Sequence, residues 1–158
     1  MLRSTAGSRL YIGAEPSLTE TFNPYPHAVY GGVTWVEIKR LEAMGSLGLA
    51  WDTKDYTAMT DGDAPVMTTI KDTLRGQVMQ IVMGIEDADP GQLLLLDAFH
   101  DTASYHFRLT FGDEAGDPSR EWTALVTTFN EQLDNASSVM KRVADLHVTS
   151  AIINTTGA

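Results

Sequence analysis

Asp55-Tyr56-Thr57-Ala58-Met59-Thr60-Asp61-Gly62-Asp63, then the run Arg75 to Glu86, then Asp87-Ala88-Asp89-Pro90-Gly91-Gln92-Leu93-Leu94-Leu95-Leu96-Asp97-Ala98-Phe99 decide the fold class of this chain. The middle run is the strongest strand. Val78, Val82 and Gly84 alternate with Met79, Ile81, Met83 and Ile85, and Gln80 is the polar break. Both of its faces are largely apolar, which predicts burial on two sides. The third piece predicts a short helix. Asp89 can cap, Pro90 takes the first helical position and Gln92 stands at capping-box spacing. Leu93, Leu96 and Phe99 line one predicted face with Leu95 beside them, and the helix should stop near Asp101.

Working outward, more strands follow. Residues 9–14 read as a short strand closed by Glu15-Pro16-Ser17. Residues 15–31 carry Pro16, Pro24 and Pro26 and predict an extended connection, since proline denies ladder hydrogen bonds. Residues 33–42 alternate as one strand, with Trp35, Glu37 and Lys39 opposite Val36 and Ile38. From Thr102 to Phe111, Tyr105, Phe107, Leu109 and Phe111 share a face, and Gly112 to Ser119 is a turn by composition. Two long strands, 120–131 and 138–153, close the chain. In the second, Met140, Ala144, Leu146, Val148 and Ile152 alternate with Lys141, Val143, Asp145, His147 and Thr149, which predicts one core face and one wet face. Strand 120–131 leaves two registers open. If the parity of Glu121, Leu125 and Phe129 is core, Trp122, Thr128 and Asn130 face the other way. Many strands and one helix predict a mainly β fold, a β-sandwich or partly closed barrel with one flanking α-helix.

Residues 49–68 show no clear period and form the long extended loop of this reading. A loop of that length is functional or disordered as a rule. Trp51, Tyr56, Met59 and Met67 interleave with its acids, and disordered linkers are poor in such residues. Two readings stand: an arm that orders against a neighbour, and a mobile surface loop.

Composition excludes several functions. The 158 residues suit a single domain, residues 1–158, with the arm at 43–68 inside it. There is no cysteine, so disulfides, thiolate metal sites and thiol nucleophiles are absent. No apolar run is long enough for a signal core or a bilayer span, so the reading is no membrane and synthesis in the cytoplasm. Lys and Arg number 11 against 21 Asp and Glu, a net charge of −10. Tight nucleic-acid binding draws on basic surface, and none is clustered here. The acidity reads either as solubility or as a surface that repels DNA.

No catalytic, cofactor or metal residue is assigned. His27, His100, His106 and His147 lie on different predicted elements without zinc-site spacing. Asp61-Gly62-Asp63 lacks the later ligands of a calcium loop. Gly45-Ser46-Leu47-Gly48 lacks the Lys-Ser/Thr of a phosphate loop. No Gly-x-Ser-x-Gly elbow occurs.

In order and spacing, the chain from about Leu10 to Ile153 resembles the major tail protein (tail tube protein) family of long-tailed bacteriophages. The resemblance is carried by Tyr11-Ile12-Gly13, Trp35-Val36-Glu37-Ile38, the Asp55 to Thr60 segment, the Gly91-Gln92 helix with its leucines, and Arg120-Glu121-Trp122-Thr123-Ala124 with its long partner. The Pro-bearing Glu15 to Gly31 insert departs from the pattern. The resemblance implies a structural virion protein, not an enzyme. It implies homohexameric rings that stack into a tube and a loop that reaches the neighbouring ring. It also implies transient passage of DNA without specific binding, and tape measure, tail terminator or baseplate proteins as partners. The contending readings are a related component (tail terminator, contractile-phage inner tube, type VI secretion tube) and a monomeric β-sandwich binding module. On the tube reading, Trp51, Tyr56, Met59 and Met67 belong to the intersubunit arm, and Lys141, Asp145, His147 and Thr149 line the channel.

Overall fold

The computed structural model describes residues 6–16, 33–58, 65–112, 117–134, 136 and 139–155. Met59, nearly all of the 15–31 segment and the centre of the 112–119 turn therefore lie outside the described residues.

One sheet makes the body. Its strands are β1 (Arg9–Pro16), β2 (Trp35–Ile38), β3 (Leu41–Ala43), β6 (Val78–Gly84), β7 (Tyr105–Thr110), β8 (Ser119–Gln132), β9 (Lys141–Val148) and β10 (Ile153–Thr155). The order is β2-β1-β7-β8-β9-β6-β3, every pairing is antiparallel, and β10 pairs with the first residues of β8. The sheet does not close on itself; β2 and β3 are its two ends. A separate ribbon joins β4 (Leu49–Ala58) to β5 (Val66–Gly76). The helix α1 spans Pro90–His100.

Alternation builds the core. Leu10 and Ile12 of β1, Met79, Ile81 and Met83 of β6, Phe107 of β7, Trp122 and Ala124 of β8, and Ala144, Leu146 and Val148 of β9 are buried together with Leu95 of α1. Phe107 and Trp122, register partners on adjacent strands, stack with ring centres 6.1 Å apart. The wet-and-dry pattern expected for 138–153 holds over β9 from Val143 on, where Val143, Asp145 and His147 are half-buried and Ala144, Leu146 and Val148 are buried; Arg142 is half-buried as well. The strand ends at Val148, however, and the chain re-pairs at β10 after a break.

A bulge settles the open register of β8. Val126 pairs with Leu146 but Thr128 pairs with Asp145, so one extra residue falls at Thr127. Trp122, Ala124 and Val126 face the core before it; Phe129 faces the core after it, opposite Ala144. Thr128 and Asn130 thus share the outer face with Asp145 and Val143, while Trp122 does not. Each of the two registers is right for one half of the strand.

Three expectations are corrected. Residues 33–42 are two strands at opposite ends of the sheet, because the chain turns at Arg40, whose φ is 63°. The run from Arg75 to Glu86 is divided at Gln77: Arg75 and Gly76 end β5, and β6 stops at Gly84. In the 49–68 segment, residues 49–58 and 66–68 are strand and not irregular loop, for β4 and β5 pair from Leu49↔Gly76 to Ala58↔Val66.

The helix begins and ends where expected, with Asp89 as N-cap and Asp101 as C-cap, but its cap and face differ. Asp89 makes no side-chain bond to the helix; its Oδ2 accepts the backbone N–H of Lys39 at 3.0 Å. Gln92 does not close a capping box. It is fully buried, and its amide donates to the carbonyls of Lys39 (3.2 Å) and Gly84 (2.9 Å). Its carbonyl accepts from the N–H of Glu86 (3.2 Å) and from Arg142 Nη1 (2.9 Å). All four hydrogen-bonding positions of the side chain are therefore filled. The buried face is Gly91, Gln92, Leu95 and Ala98, leaving Leu93 and Phe99 exposed. Gly91 explains the choice, because a Cβ there would stand 2.2 Å from the Glu37 carbonyl oxygen; only glycine lets the helix sit so close to β2.

Candidate functional site

The two regions assigned to assembly lie on the ribbon and on the outer face of the sheet. The ribbon leaves the body where the Gln77 N–H donates to the Gly48 carbonyl and the Val148 N–H donates to the Gln77 carbonyl. Gly76 marks this root, since a Cβ there would meet the Val148 carbonyl oxygen at 1.8 Å. Beyond the root, β4 and β5 pair along ten residues, a length of about 30 Å at ordinary strand rise.

Neither face of this ribbon is covered. Trp51 (46% exposed) and Met67 (69%) lie on one face with Thr53, Lys71, Asp55 and Thr57; Tyr56 (47%), Val66 (63%) and Ile70 (46%) lie on the other. The sequence reading found Trp51, Tyr56 and Met67 but missed Val66 and Ile70. The ribbon's own cross-strand contacts are polar or modest. Arg75 reaches Asp52 at 3.0 Å, Thr69 donates to Asp55 at 2.6 Å, and Lys71 Nζ stands 5.4 Å from the centre of the Trp51 ring. A lone two-stranded ribbon is marginal in water, and one that also exposes five large apolar side chains lacks a partner surface.

The outer face of β6, β9 and β8 forms rows across the sheet. Val78, His147 and Leu125 make one row; Gln80, Asp145 and Thr128 the next; Val82, Val143 and Asn130 the third; Gly84, Lys141 and Gln132 the last. Lys141, Asp145 and His147 thus stand together on one face, and the flanking Gln80, Thr128 and Asn130 give it a polar lining. Lys141 is offset by Glu42 of β3 at 2.7 Å. No cation lies within ion-pair distance of the Asp145 carboxylate among the described residues, so with Glu42 counted against Lys141 the face is left with the Asp145 charge. Thr149 is different. It sits past the end of β9, with its hydroxyl 2.9 Å from that of Thr123 and 3.1 Å from that of Ser104, and its N–H donates to the Thr123 carbonyl. It ties strands together.

A second polar cluster lies at the β1-β7-β8 end of the same face. Glu121 is 1% exposed and accepts from Arg108 Nε at 2.8 Å; the Arg108 guanidinium stacks 4.5 Å from the Trp35 ring centre. Burial pushes the neighbouring His106 imidazole below its ordinary pKa, and the Glu121 charge opposes this only in part. Among the described residues no group of three His, Asp or Glu side chains could hold a metal ion. A groove of about 670 Å³ between β3 and the start of β1 is lined by Leu41, Met44, Leu47 and Phe111, with Arg120 over the Phe111 ring. Its lining also holds Ser8 and Glu42 and no histidine.

No protein-family model and no curated protein matches the chain. Solved structures do. A chain of the sheath-tube complex of the extracellular contractile injection system PVC in its extended state superposes with a TM-score of 0.65 at 10% identity, covering 98% of this chain and 92% of that one. The SPP1 tail tube gives 0.60 at 9% identity over 99% of this chain and 80% of that one. The fold is a tail-tube fold. A chain from the tail of an empty GTA particle, with C6 symmetry, matches in the same way at 0.57 and 13% identity, covering 82% of this chain and 92% of that one. The match to the PVC chain spans 98% of this chain, so both the body and the ribbon fall within it.

Proposed function

We propose that this chain is the structural subunit of a phage-type tail tube, polymerising as stacked hexameric rings around a channel that passes DNA. The observation that carries the reading is the β4–β5 ribbon, paired over its length yet bare on both faces, on a body whose fold is that of the tail tubes. A monomeric binding module would cover Trp51, Tyr56, Val66, Met67 and Ile70 with its own sheet; this one holds them clear of it. The ribbon is the intersubunit arm. The β6-β9-β8 outer face, with Lys141, Asp145 and His147, lines the channel, and Thr149 supports it from the end of the strand. Because Glu42 neutralises Lys141, the lining presents Asp145 to passing phosphates, and like charge keeps DNA from adhering. The role is structural rather than catalytic. Its place is the virion tail after synthesis in the host cytoplasm, and its partners are further copies, a tape measure protein, and terminator or baseplate proteins at the tube ends.

The test is negative-stain microscopy of the purified chain beside a variant in which residues 54–70 are replaced by Asn-Gly. That turn closes Thr53 onto its partner Lys71 without disturbing the root. The full chain should give rings and tubes, and the shortened one a folded body without tubes. Tubes from the shortened chain, or a strictly monomeric full chain, sink the reading.

A further inference from the structure

The sheet leaves a gap where it fails to close. β3 is its last strand and pairs only with β6, so the other edge of Leu41–Ala43 has no strand beside it among the described residues. Across from that edge runs the chain entering β1, Ala6 to Ser8, and the groove of about 670 Å³ lies between the two. Its floor is the core itself, for Met79 and Leu109 are core residues that also line the groove. Gly45 keeps the space clear. Its φ of 61° turns the chain back onto β6, where a Cβ would stand 2.8 Å from the Gln80 carbonyl oxygen. An open strand edge beside core side chains is a template for one more strand.

Three polar groups define what that strand must carry. The Arg120 guanidinium lies 4.9 Å from the Phe111 ring centre and donates to the Ser119 carbonyl at 3.1 Å, with no carboxylate within ion-pair distance among the described residues. Glu42, the carboxylate on the β3 wall, is held by Lys141 at 2.7 Å. The Ser8 Oγ is buried without a hydrogen-bond partner. An arginine without a counter-ion beside an apolar floor fits an apolar segment that bears a carboxylate. Among the described residues every strand of this chain already has a partner, so a second copy has no described strand to lend. We propose that the groove between β3 and the start of β1 binds an extended segment of a different protein, added as a strand on the free edge of β3. Alternate side chains of that segment are apolar and cover Met79 and Leu109, and its carboxylate meets Arg120. This goes beyond the tube reading and does not depend on it.

The test is fluorescence anisotropy with the full-length chain and a labelled synthetic peptide, Asp-Val-Thr-Leu-Thr-Val-Asp. A carboxylate at each end samples both strand directions. The peptide should bind saturably, and replacing both of its Asp residues by Lys should weaken binding at least tenfold. A proline at the central position, which removes a ladder N–H, should weaken it as much. Arg120→Glu should reverse the preference between the Asp and Lys peptides. If that variant does not fold, the peptide series on the parent chain decides by itself. Absence of saturable binding, or equal binding of the Asp and Lys peptides, overturns the proposal. The same titration is repeated on assembled tubes. Binding that persists there supports a foreign strand, whereas binding to the subunit that vanishes in tubes gives the groove to a neighbouring copy and overturns it. A chain that forms no tubes sinks the tube reading alone, because the titration of the subunit still decides the groove.

Discussion

The β4–β5 ribbon and the β6–β9 pair are both antiparallel and continuously registered, yet they meet opposite fates. In β6–β9 the inward residues Met79, Ile81, Met83, Ala144 and Leu146 are sealed. In the ribbon no described side chain is buried before Gly76 at the root, and its apolar residues are divided between two wet faces. Pairing alone therefore says little about where stability resides. Backbone hydrogen bonds hold both regions in register, but only the first removes substantial apolar surface from water, at about 25 cal/mol per Å². The body carries the buried core, and the ribbon leaves its apolar side chains in water.

The strongest way to break this contrast is to truncate on the body side. Trp122→Ala removes a side chain with no exposed surface that stacks on Phe107, and it should destabilise the subunit by about 3–5 kcal/mol in urea unfolding. A loss below about 1 kcal/mol would mean that the core does not pack around this ring. Next comes Gln92→Leu. The volume is kept, but the carbonyls of Lys39 and Gly84, the Glu86 N–H and one arm of Arg142 lose their partner. Unpaired buried polar groups predict a loss of about 1–3 kcal/mol. Equal stability of the leucine variant would show that α1 is held by Leu95 and Ala98 alone.

A smaller effect is a pH slope. His106 has a folded pKa below its ordinary value, with burial as the larger cause and the Glu121 charge opposing it. The unfolded chain then binds the proton more readily than the folded one. Stability is full above the unfolded value near 6.5 and declines as the pH falls below it. Chemical denaturation between pH 7.5 and 5.5, settings of about one unit either side of the ordinary histidine value, should show this decline, and His106→Gln should flatten it. An unchanged slope in that variant would assign the proton uptake elsewhere.

The ribbon side should respond in the opposite sense. Tyr56→Ala should shift subunit stability by less than about 0.5 kcal/mol, as expected of an exposed substitution, while reducing assembly. A large loss in the isolated subunit would show that the ribbon packs on its own body. Smallest in stability is Asp145→Lys on the outer face. It should leave folding and tubes intact and slow DNA ejection, more at low salt than at high salt, because each ring gains a band of positive charge. Disrupted tubes with unchanged ejection would place Asp145 at a subunit contact.

Local chemistry was readable without coordinates where one residue's neighbours in sequence are also its neighbours in space. Pro90 at the helix start, the halt at Asp101 and the alternation of Tyr105, Phe107 and Leu109 are of this kind. The helix face was not, because Leu93, Leu96 and Phe99 make a better apolar stripe than Gly91 and Gln92. What decides it is a carbonyl of β2 and hydrogen bonds from three distant segments. The ribbon was missed for the converse reason. A strand wet on both faces is under no pressure to alternate, so period-two hydrophobicity, the usual mark of a strand, is missing from Trp51 to Ile70. Trp51, Tyr56 and Met67 still stood out in the sequence as large apolar residues among acids, and the structure places all three exposed on the ribbon. The outer-face placement of Lys141, Asp145 and His147 followed from parity, whereas the anchoring of Thr149 by Thr123 and Ser104 did not.

What the sequence by itself determined is the mainly β class, the single helix with its ends, the core parity of β9, and the exclusion of thiol and disulfide chemistry. These depend on spacing along the chain and on residue type. Only the tertiary structure decided that residues 33–42 part to opposite ends of one sheet, that a bulge at Thr127 reverses the outward parity of β8, and that residues 49–58 and 66–76 pair into a ribbon rooted at Gly76. Each of these depends on which distant backbone supplies the hydrogen bonds and the steric limits: Asp89 and Gln92 at the Lys39 turn, β9 at the bulge, and Val148 at the root. A periodic pattern reports which face of a segment avoids water, but not which partner lies beside it.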